Sequence, residues 1–436
     1  MGWVFTFAIV FLGLSAATFG RWLERVGPRT SGLVAAACWG SGFLIAALGV
    51  HLHLLWLILL GYGVVGGCGL GLGYITPVST LIKWFPDRRG MATGMAIMGF
   101  GGGAMIAAPL SSALMTRFAS ATSVGVVETF VALGLIYAGF MTVGALLFRV
   151  PPPNWRPAGW TPSAEARKLV TNRNVHPTVA ITTPAFWLLW AVLCLNVTAG
   201  IGVLGQASAM IQEIFHGTVS AGAAAGFVGL LSLFNMGGRF FWSSLSDRIG
   251  RKPTYAVFFG AGLLLYAAVP AAGTAGSVAL FVACFAVILT MYGGGFATIP
   301  AYLSDLFGTR FVGAIHGRLL TAWSTAGVLG PVLVNYIREF QVSRGIAKAE
   351  GYNATMFLMA ALLAVGFVCN LAVRPVDPKH YLPDEAPSGH GGAELVGGGD
   401  GGSGWTLGLV ASWLAVGVPL AWGVLATLGR AAQLFR

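Results

Sequence analysis

The sequence predicts an all-α membrane protein built from two pseudo-symmetric helical bundles, and three observations carry this prediction. Hydrophobic residues make up 56% of the 436 residues and charged residues only 9%, and the mean hydropathy is +0.79, which excludes an ordinary water-soluble domain. Apolar segments of membrane-spanning length recur along the chain, since about 20 helical residues cross a hydrocarbon core of about 30 Å. Two charged motifs in the same register divide the chain into halves.

The apolar segments predict twelve membrane-spanning helices. Five precede a stretch rich in proline and charge, six follow it, and one lies beyond a glycine-rich stretch near the C-terminus. The predicted spans are residues 3–20, 31–50, 54–81, 91–115, 127–148, 184–206, 222–244, 254–272, 277–303, 315–337, 353–373 and 405–428. The first bundle therefore has one helix fewer than the second.

These spans set the domain boundaries. Proline and charge mark the first linker as a surface segment on the cytoplasmic side, and glycine marks the second as flexible. The predicted order is a first bundle (1–149), a cytoplasmic linker (150–183), a second bundle (184–373), a flexible linker (374–404) and an additional C-terminal membrane helix (405–436).

Residues 20–29 and 243–252 carry one motif twice, 223 positions apart. Each copy follows an apolar span with a carboxylate, an arginine two residues before a glycine, and further cations. Such a pattern suits a tight turn, where the carboxylate stabilises the positive end of a helix dipole and pairs with arginines across the bundle. We expect a cytoplasmic gate formed by Gly20, Glu24, Arg25 and Gly27 of the first copy and Asp247, Arg248, Gly250 and Arg251 of the second.

A second pair of matching stretches, residues 71–76 and 293–298, is offset by 222 positions, which agrees with the first pair and indicates duplication of a whole half. Only one predicted span precedes Glu24, whereas two spans of the second half precede Asp247. Either the chain starts upstream of Met1, or the first bundle lacks its first helix. The C-terminal helix runs in the direction of the missing one and either replaces it or is a peripheral addition.

The net charge of +11 does not indicate nucleic-acid binding, because lysine and arginine occupy alternate loops. This is the bias that orients membrane helices, and it places the motif loops in the cytoplasm and the N-terminus outside. All five cysteines lie in predicted spans without metal-ligand spacing, so no metal site is expected. Without a phosphate-binding loop or a catalytic triad, the sequence predicts no enzymatic activity, no ATP and no cofactor.

Arg239 is the most informative single side chain. It lies eight residues before Asp247, about 12 Å along the helix and close to the membrane midplane. An arginine at this depth costs roughly 2.5 to 3.5 kcal/mol on insertion, so it normally faces a cavity or a partner. No carboxylate is predicted at comparable depth, so we expect Arg239 to bind an anionic substrate; snorkelling or a structural contact to backbone carbonyls is the alternative.

Aromatic residues in glycine-rich spans are predicted to form apolar walls around that anion, although ordinary aromatic packing is an equal alternative for each of them. His316, near Arg318, is a further candidate for a gate or a proton carrier. The predicted walls are Tyr74, Tyr292, Phe296 and Trp323.

The repeated motif resembles that of the major facilitator transporters, and the resemblance covers nearly the whole chain. It implies the major facilitator fold, with alternating access between two bundles, except for the missing first helix and the extra C-terminal one. Residues 234–242 and 314–323 also resemble the oxalate/formate antiporter branch. In that branch an arginine of the eighth helix, which Arg239 matches, and a lysine of the eleventh hold the two carboxylates of oxalate. Residues 315–337 contain no lysine, which favours a monocarboxylate such as formate or lactate.

The sequence thus predicts a secondary active transporter of small organic anions, monomeric and embedded in the bilayer of a bacterial cytoplasmic membrane. Exchange or uniport is favoured over proton coupling, because no acidic residue lies deep in a predicted span. Two alternatives stay open. One is a transporter-like sensor or non-transporting membrane subunit, which the missing helix favours; the other is an efflux carrier for apolar compounds, which leaves Arg239 unexplained.

Overall fold

The computed structural model describes residues 2–152, 155–157, 160, 169–171, 173–383 and 407–435. Most of the predicted glycine-rich linker, from residue 384 onward, lies outside the described residues. Within them the chain is almost entirely helical, and isolated bridges such as that between Val175 and Tyr381 are the only β-type pairing.

The first half consists of four long helices. A π-helical segment, Leu59–Gly66, lies within the second of them. The helices are α1 (Gly2–His51), α2 (Leu55–Trp84), α3 (Arg89–Phe118) and α4 (Val126–Leu147).

Helix α1 contains two membrane spans, joined by a break of a single residue. Gly27 has φ +82° and ψ 168°, a conformation that glycine adopts at little cost. The two arms lie side by side along α2, since Gly69 packs against Ala35 and Trp39 while Gly71 packs against Leu12 and Ser15. The turn predicted from the first motif is therefore present, and Gly27 makes it.

The second half contains six membrane helices, and Gly250 joins two of them with φ +93°, the counterpart of the turn at Gly27. The fifth of these six helices is interrupted at Leu320, which lies between the helical segments Val312–Leu319 and Thr321–Ser343. The helices are α5 (Pro184–Ile214), α6 (Ala221–Ile249), α7 (Arg251–Thr274), α8 (Val278–Phe307), α9 (Val312–Ser343) and α10 (Asn353–Ala372). A further helix, α11 (Leu407–Ala431), follows.

Eleven helices of the described chain are long and apolar enough to cross a membrane. Because α1 contributes two arms, the described residues contain twelve candidate membrane crossings, the number that the sequence predicts. The all-α membrane class is confirmed.

Within the described residues, the second half has one central helix more than the first. In the second half, α5 packs against α6, α8, α9 and α10. Within the described first half, the corresponding position between α2, α3 and α4 is an apolar cavity of about 250 Å³, lined by Gly73, Tyr74, Ile97, Phe100, Met141 and other apolar residues. The five-helix first bundle predicted from the sequence thus leaves a space where the counterpart of α5 would pack.

Helix α11 does not fill that cavity. It packs against α6, where Gly226 and Gly229 lie under Arg430 and Thr427, and against the backbone of α3 at Met105. Most of its apolar side chains are exposed. The structure therefore places α11 at the periphery, in contact with one helix from each half, and not as a replacement for the missing helix.

Candidate functional site

Arg239 is almost completely buried on α6, with 2% of its surface exposed. Its Nε donates a hydrogen bond to Asn235 Oδ1 (3.1 Å), and its Nη1 donates one to the carbonyl oxygen of Ile97 on α3 (3.3 Å). The asparagine lies one helical turn away on the same face. Within the described residues no carboxylate forms an ion pair with Arg239, so the contacts seen leave its positive charge without a negative partner.

Two aromatic rings contact this guanidinium and two more pack against those rings. We call the four residues the aromatic cage: Tyr74, Phe100, Phe296 and Trp323. The Arg239 Cζ lies 5.6 Å from the ring centre of Phe100 and 5.1 Å from that of Phe296, within the range of cation–π attraction. Tyr74 and Trp323 each contact both phenylalanine rings, at centroid distances of 5.2 to 6.1 Å. The cage draws on α2 and α3 of the first half and α8 and α9 of the second, so it lies at their interface.

The structure brings Arg239 together with all four aromatic residues that the sequence singled out. Tyr292 interacts electrostatically with Arg239 and lies beside Trp323, although its ring also covers Gly200 of α5 inside the second half. The sequence analysis did not identify Phe100, which lies in a run of glycines. It also did not identify Asn235, although a residue four positions before Arg239 on a helix lies on the same face.

Several polar atoms at the cage lack hydrogen-bond partners, although buried polar groups are usually bonded. Among the described residues these include Tyr74 Oη, Trp323 Nε1 and both ring nitrogens of His316. The imidazole of His316 lies 5.7 Å from the Tyr74 ring. The indole N–H can only donate, so the cage offers unused donors beside a cation.

Glu24, at the end of the first arm of α1, connects the two halves. Its Oε2 pairs with Lys83 Nζ at 2.6 Å. Its Oε1 accepts hydrogen bonds from Ser79 Oγ (3.0 Å) and from the backbone N–H of Gly313 (3.2 Å), at the start of α9 in the second half.

Asp247 makes the reciprocal connection from the end of α6. Its Oδ1 and Oδ2 accept hydrogen bonds from the backbone N–H groups of Gly90 (2.9 Å) and Met91 (2.8 Å), at the start of α3 in the first half. Each carboxylate thus caps a helix of the opposite half, where the dipole favours negative charge. We call Glu24–Gly313 and Asp247–Gly90 the crossed caps, and the side of the bundle that carries them the motif face.

A buried ion-pair network extends the second cap. Arg251 Nη2 contacts Asp247 Oδ1 at 2.6 Å, and Arg251 Nε contacts Asp305 Oδ2 at 3.0 Å. Arg89 Nη1 approaches Asp305 Oδ1 at 3.1 Å. Arg25 and Arg248, also predicted to belong to the gate, are exposed. Lys83, Arg89 and Asp305 take part in these ion pairs, although the sequence did not identify them.

Small residues allow the halves to approach at the motif face. A Cβ on Gly20 would lie 2.9 Å from the Cα of Ala314 on α9. Ser243 occupies the equivalent position in the second copy, and there the glycine is on the opposing helix. A Cβ on Gly94 would clash with the Ser243 hydroxyl and lie 2.8 Å from the Arg239 carbonyl oxygen. Both approaches are therefore tight.

A histidine outside the membrane spans also joins the halves at this face. Nη2 of Arg21 lies 3.0 Å from His176 Nε2. Burial and the nearby cations Arg21 and Arg318 lower the pKa of His176 below its usual value.

Two repeated halves, caps that close one face, and a cation at the interface form the arrangement of an alternating-access carrier. The profile of the Major Facilitator Superfamily matches residues 1–331. This chain belongs to the Major Facilitator Superfamily. The family assignment made from the repeated motif is confirmed, and the major facilitator proteins that it resembles are integral multi-pass membrane transporters, not enzymes.

Among its relatives in the superfamily, the oxalate:formate antiporter of Oxalobacter formigenes is 29% identical over 392 residues, covering 88% of this chain and 86% of the relative. Apicoplast pyruvate carrier 1 of Toxoplasma gondii is 25% identical over 424 residues, covering 84% and 74%. The solved structure of the proton:xylose symporter XylE aligns with a TM-score of 0.63 at 15% identity, covering 84% of each chain. That structural likeness shows the major facilitator fold.

Proposed function

We propose that this major facilitator transporter carries small organic anions and that Arg239 binds their carboxylate. The observation that carries the proposal is a buried guanidinium at the interface of the halves whose described hydrogen-bond acceptors, Asn235 and Ile97, are both neutral. A buried charge without a counter-charge is costly, and an anionic ligand supplies the missing charge. Relatives named as an oxalate:formate antiporter and a pyruvate carrier support a carboxylate substrate.

The chemistry of the cage favours a monocarboxylate. One guanidinium presents one planar fork, which matches a single carboxylate with two hydrogen bonds. The remaining walls are aromatic, and Trp323 Nε1 adds one unused donor within the described site. A second carboxylate would meet these rings without a second cation, so formate or lactate is the preferred class over oxalate.

The crossed caps supply the two-state element that transport needs. In the closed state, Glu24 and Asp247 hold the motif face together; rocking of one half against the other breaks both caps and opens the site to that side. We infer that the motif face is cytoplasmic from the distribution of lysine and arginine. No Asp or Glu belongs to the described cage, which favours exchange of anions over coupling to protons. We further propose that the carrier works as a monomer in a bacterial cytoplasmic membrane.

Counterflow in proteoliposomes tests the proposal. Vesicles loaded with unlabelled formate, lactate or oxalate are diluted into the labelled anion, with wild type, Arg239→Lys, Arg239→Gln and Arg117→Gln compared. Arg117 is an exposed arginine at the far end of α3 and serves as the matched control for loss of one charge. We expect exchange of the monocarboxylates by wild type and R117Q, roughly a tenfold loss in R239K and no exchange in R239Q, because the bidentate fork is lost.

Ligand-induced thermal stabilisation of the same variants separates binding from transport. Anion exchange by R239Q at the wild-type rate would overturn the assignment of Arg239. The second candidate is a transporter-like sensor, in which the same buried guanidinium binds a carboxylate without completing the transport cycle. That reading predicts carboxylate-induced stabilisation of wild type that Arg239→Gln abolishes, together with no exchange by either protein.

A further inference from the structure

His316 lies between the first crossed cap and the aromatic cage. It belongs to the helical segment Val312–Leu319. Glu24 caps the start of this segment at Gly313, and the segment ends at the break of α9 at Leu320. Its side chain is completely buried, at 0% exposure. Neither ring nitrogen has a hydrogen-bond partner among the described residues.

This burial depends on contact between the two halves. The segment packs against α1, where a Cβ on Gly317 would clash with the carbonyl oxygen of Ala16 and Gly20 approaches Ala314 closely. The imidazole itself lies against the ring of Tyr74 on α2. Both covering helices belong to the first half. Opening the motif face therefore separates His316 from its cover and admits water to the ring.

Charge cannot be accommodated at His316 while the face is closed. An imidazolium has two N–H donors, and in the closed state the fully buried ring finds no acceptor for either of them among the described residues, so the charged form is strongly disfavoured. Once the ring is wetted, a histidine titrates near pH ~6.5. His316 therefore binds a proton in the open state but not in the closed state.

The other titratable and charged groups on the elements packed against this segment are mostly engaged elsewhere. Glu24 is paired with Lys83, Arg21 with His176, and Asp305 with Arg89 and Arg251, while Arg318 donates to the carbonyl oxygen of Pro177. The described part of α5 that adjoins the segment carries no charged residue. The tyrosines Tyr74 on α2 and Tyr292 on α8 are uncharged at neutral pH.

We propose that His316 is a proton-binding site whose occupancy is tied to opening of the motif face, an inference that rests on the alternating access of the proposed function. Linkage then gives the sign: a proton that binds only the open state favours that state. Below pH ~6.5 the open population rises by up to about tenfold per pH unit, and above pH ~7.5 the contribution vanishes. Acidification on the motif side therefore speeds loading from that side.

Hydrogen–deuterium exchange of residues 312–319 in nanodiscs measures the opening directly. Wild type, His316→Gln and His176→Gln are compared at pH about 7.5 and about 5.5, on either side of the usual histidine pKa, after correction for intrinsic exchange rates. His176 is the matched control, since it lies on the same face but has partners at both nitrogens. We expect opening to increase about tenfold at the lower pH in wild type and H176Q and to stay constant in H316Q. An H316Q protein with the wild-type pH response overturns the proposal.

A second measurement does not need H316Q to fold. Carbethoxylation of His316 at neutral pH is followed by mass spectrometry in wild type and in Asp247→Asn, whose second cap is weakened. We expect protection in wild type and at least several-fold faster modification in D247N; equal rates mean that opening does not uncover the ring. If wild type exchanges carboxylates but neither response is seen, this inference alone fails. If the responses appear but no carboxylate is exchanged, the anion assignment alone fails.

Discussion

The Asp247 carboxylate accepts a hydrogen bond of 2.9 Å from the backbone N–H of Gly90, across the interface between the two halves. Glu24 and Gly313 repeat this relationship in the opposite direction. Duplication of one motif has therefore produced two caps, each of which needs both halves. We therefore expect closure of the motif face to depend on the negative charge of these two side chains.

Asp247→Asn is expected to open the motif face. Asparagine keeps one acceptor but loses the charge, and a hydrogen bond to a charged group is worth about 1.5 to 3 kcal/mol, so the closed-to-open ratio falls by about 10- to 150-fold. Hydrogen–deuterium exchange at residues 89–93 reports the change. Asp377→Asn, an exposed carboxylate that caps a short turn, is the control, and equal protection in D247N and wild type would contradict the role of the cap.

Gly94→Ala is expected to destabilise the closed state, because its Cβ would meet the Ser243 hydroxyl. Overpacking of this kind costs typically about 1 to 3 kcal/mol. Gly99→Ala on the same helix places its Cβ in open space and serves as the control. Thermal unfolding should show a lower midpoint for G94A alone, and Ser243→Gly should restore much of it; absence of any rescue would argue against this contact.

Asn235→Asp is expected to abolish anion binding. A carboxylate at this position would stand about as close to Arg239 as the amide oxygen does now (3.1 Å), and it would neutralise the guanidinium from within the protein. Asn235→Ala removes the same hydrogen bond without adding charge and should retain binding. Isothermal titration with formate and lactate distinguishes them, and an N235D protein with wild-type affinity would show that the substrate does not use Arg239.

Trp323→Lys is expected to shift selectivity toward oxalate. The change places a second cation in the cage opposite Phe296 and Phe100, which Trp323 now contacts, so a dianion gains a second partner. We expect the oxalate-to-formate preference in counterflow to rise at least about tenfold, or roughly 1.4 kcal/mol. Trp323→Phe, which removes the N–H but adds no charge, should not change this ratio. Unchanged selectivity in W323K would place the second carboxylate elsewhere.

The sequence was informative wherever a pattern repeated or a residue broke the local rule. The turns at Gly27 and Gly250 follow from the duplicated motif, and their positive φ angles explain why glycine stands there. Arg239 was identified because a cation deep in an apolar span is costly unless it faces a partner or a cavity. Its interfacial position follows from the fold that the motif implies.

What the sequence could not give are pairings between distant elements. Lys83 reaches Glu24, and Asp305 joins Arg89 to Arg251, only because the folded helices bring their ends together. Phe100 belongs to the cage although nothing in its glycine-rich surroundings distinguishes it from a lipid-facing ring. The packing of α11 on both halves likewise depends on small residues whose partners lie far away in the chain.

The hydrogen bond from Arg239 to the Ile97 carbonyl oxygen has a consequence for how turnover begins. This bond joins the second half to the first, so the guanidinium that we propose to bind the substrate also links the two halves. An arriving carboxylate is a stronger acceptor than a neutral carbonyl and takes over the N–H. Substrate binding then begins when the carboxylate replaces the Ile97 carbonyl oxygen as hydrogen-bond acceptor, which weakens the interface between the halves. After the substrate leaves, Arg239 forms its hydrogen bond to Ile97 again.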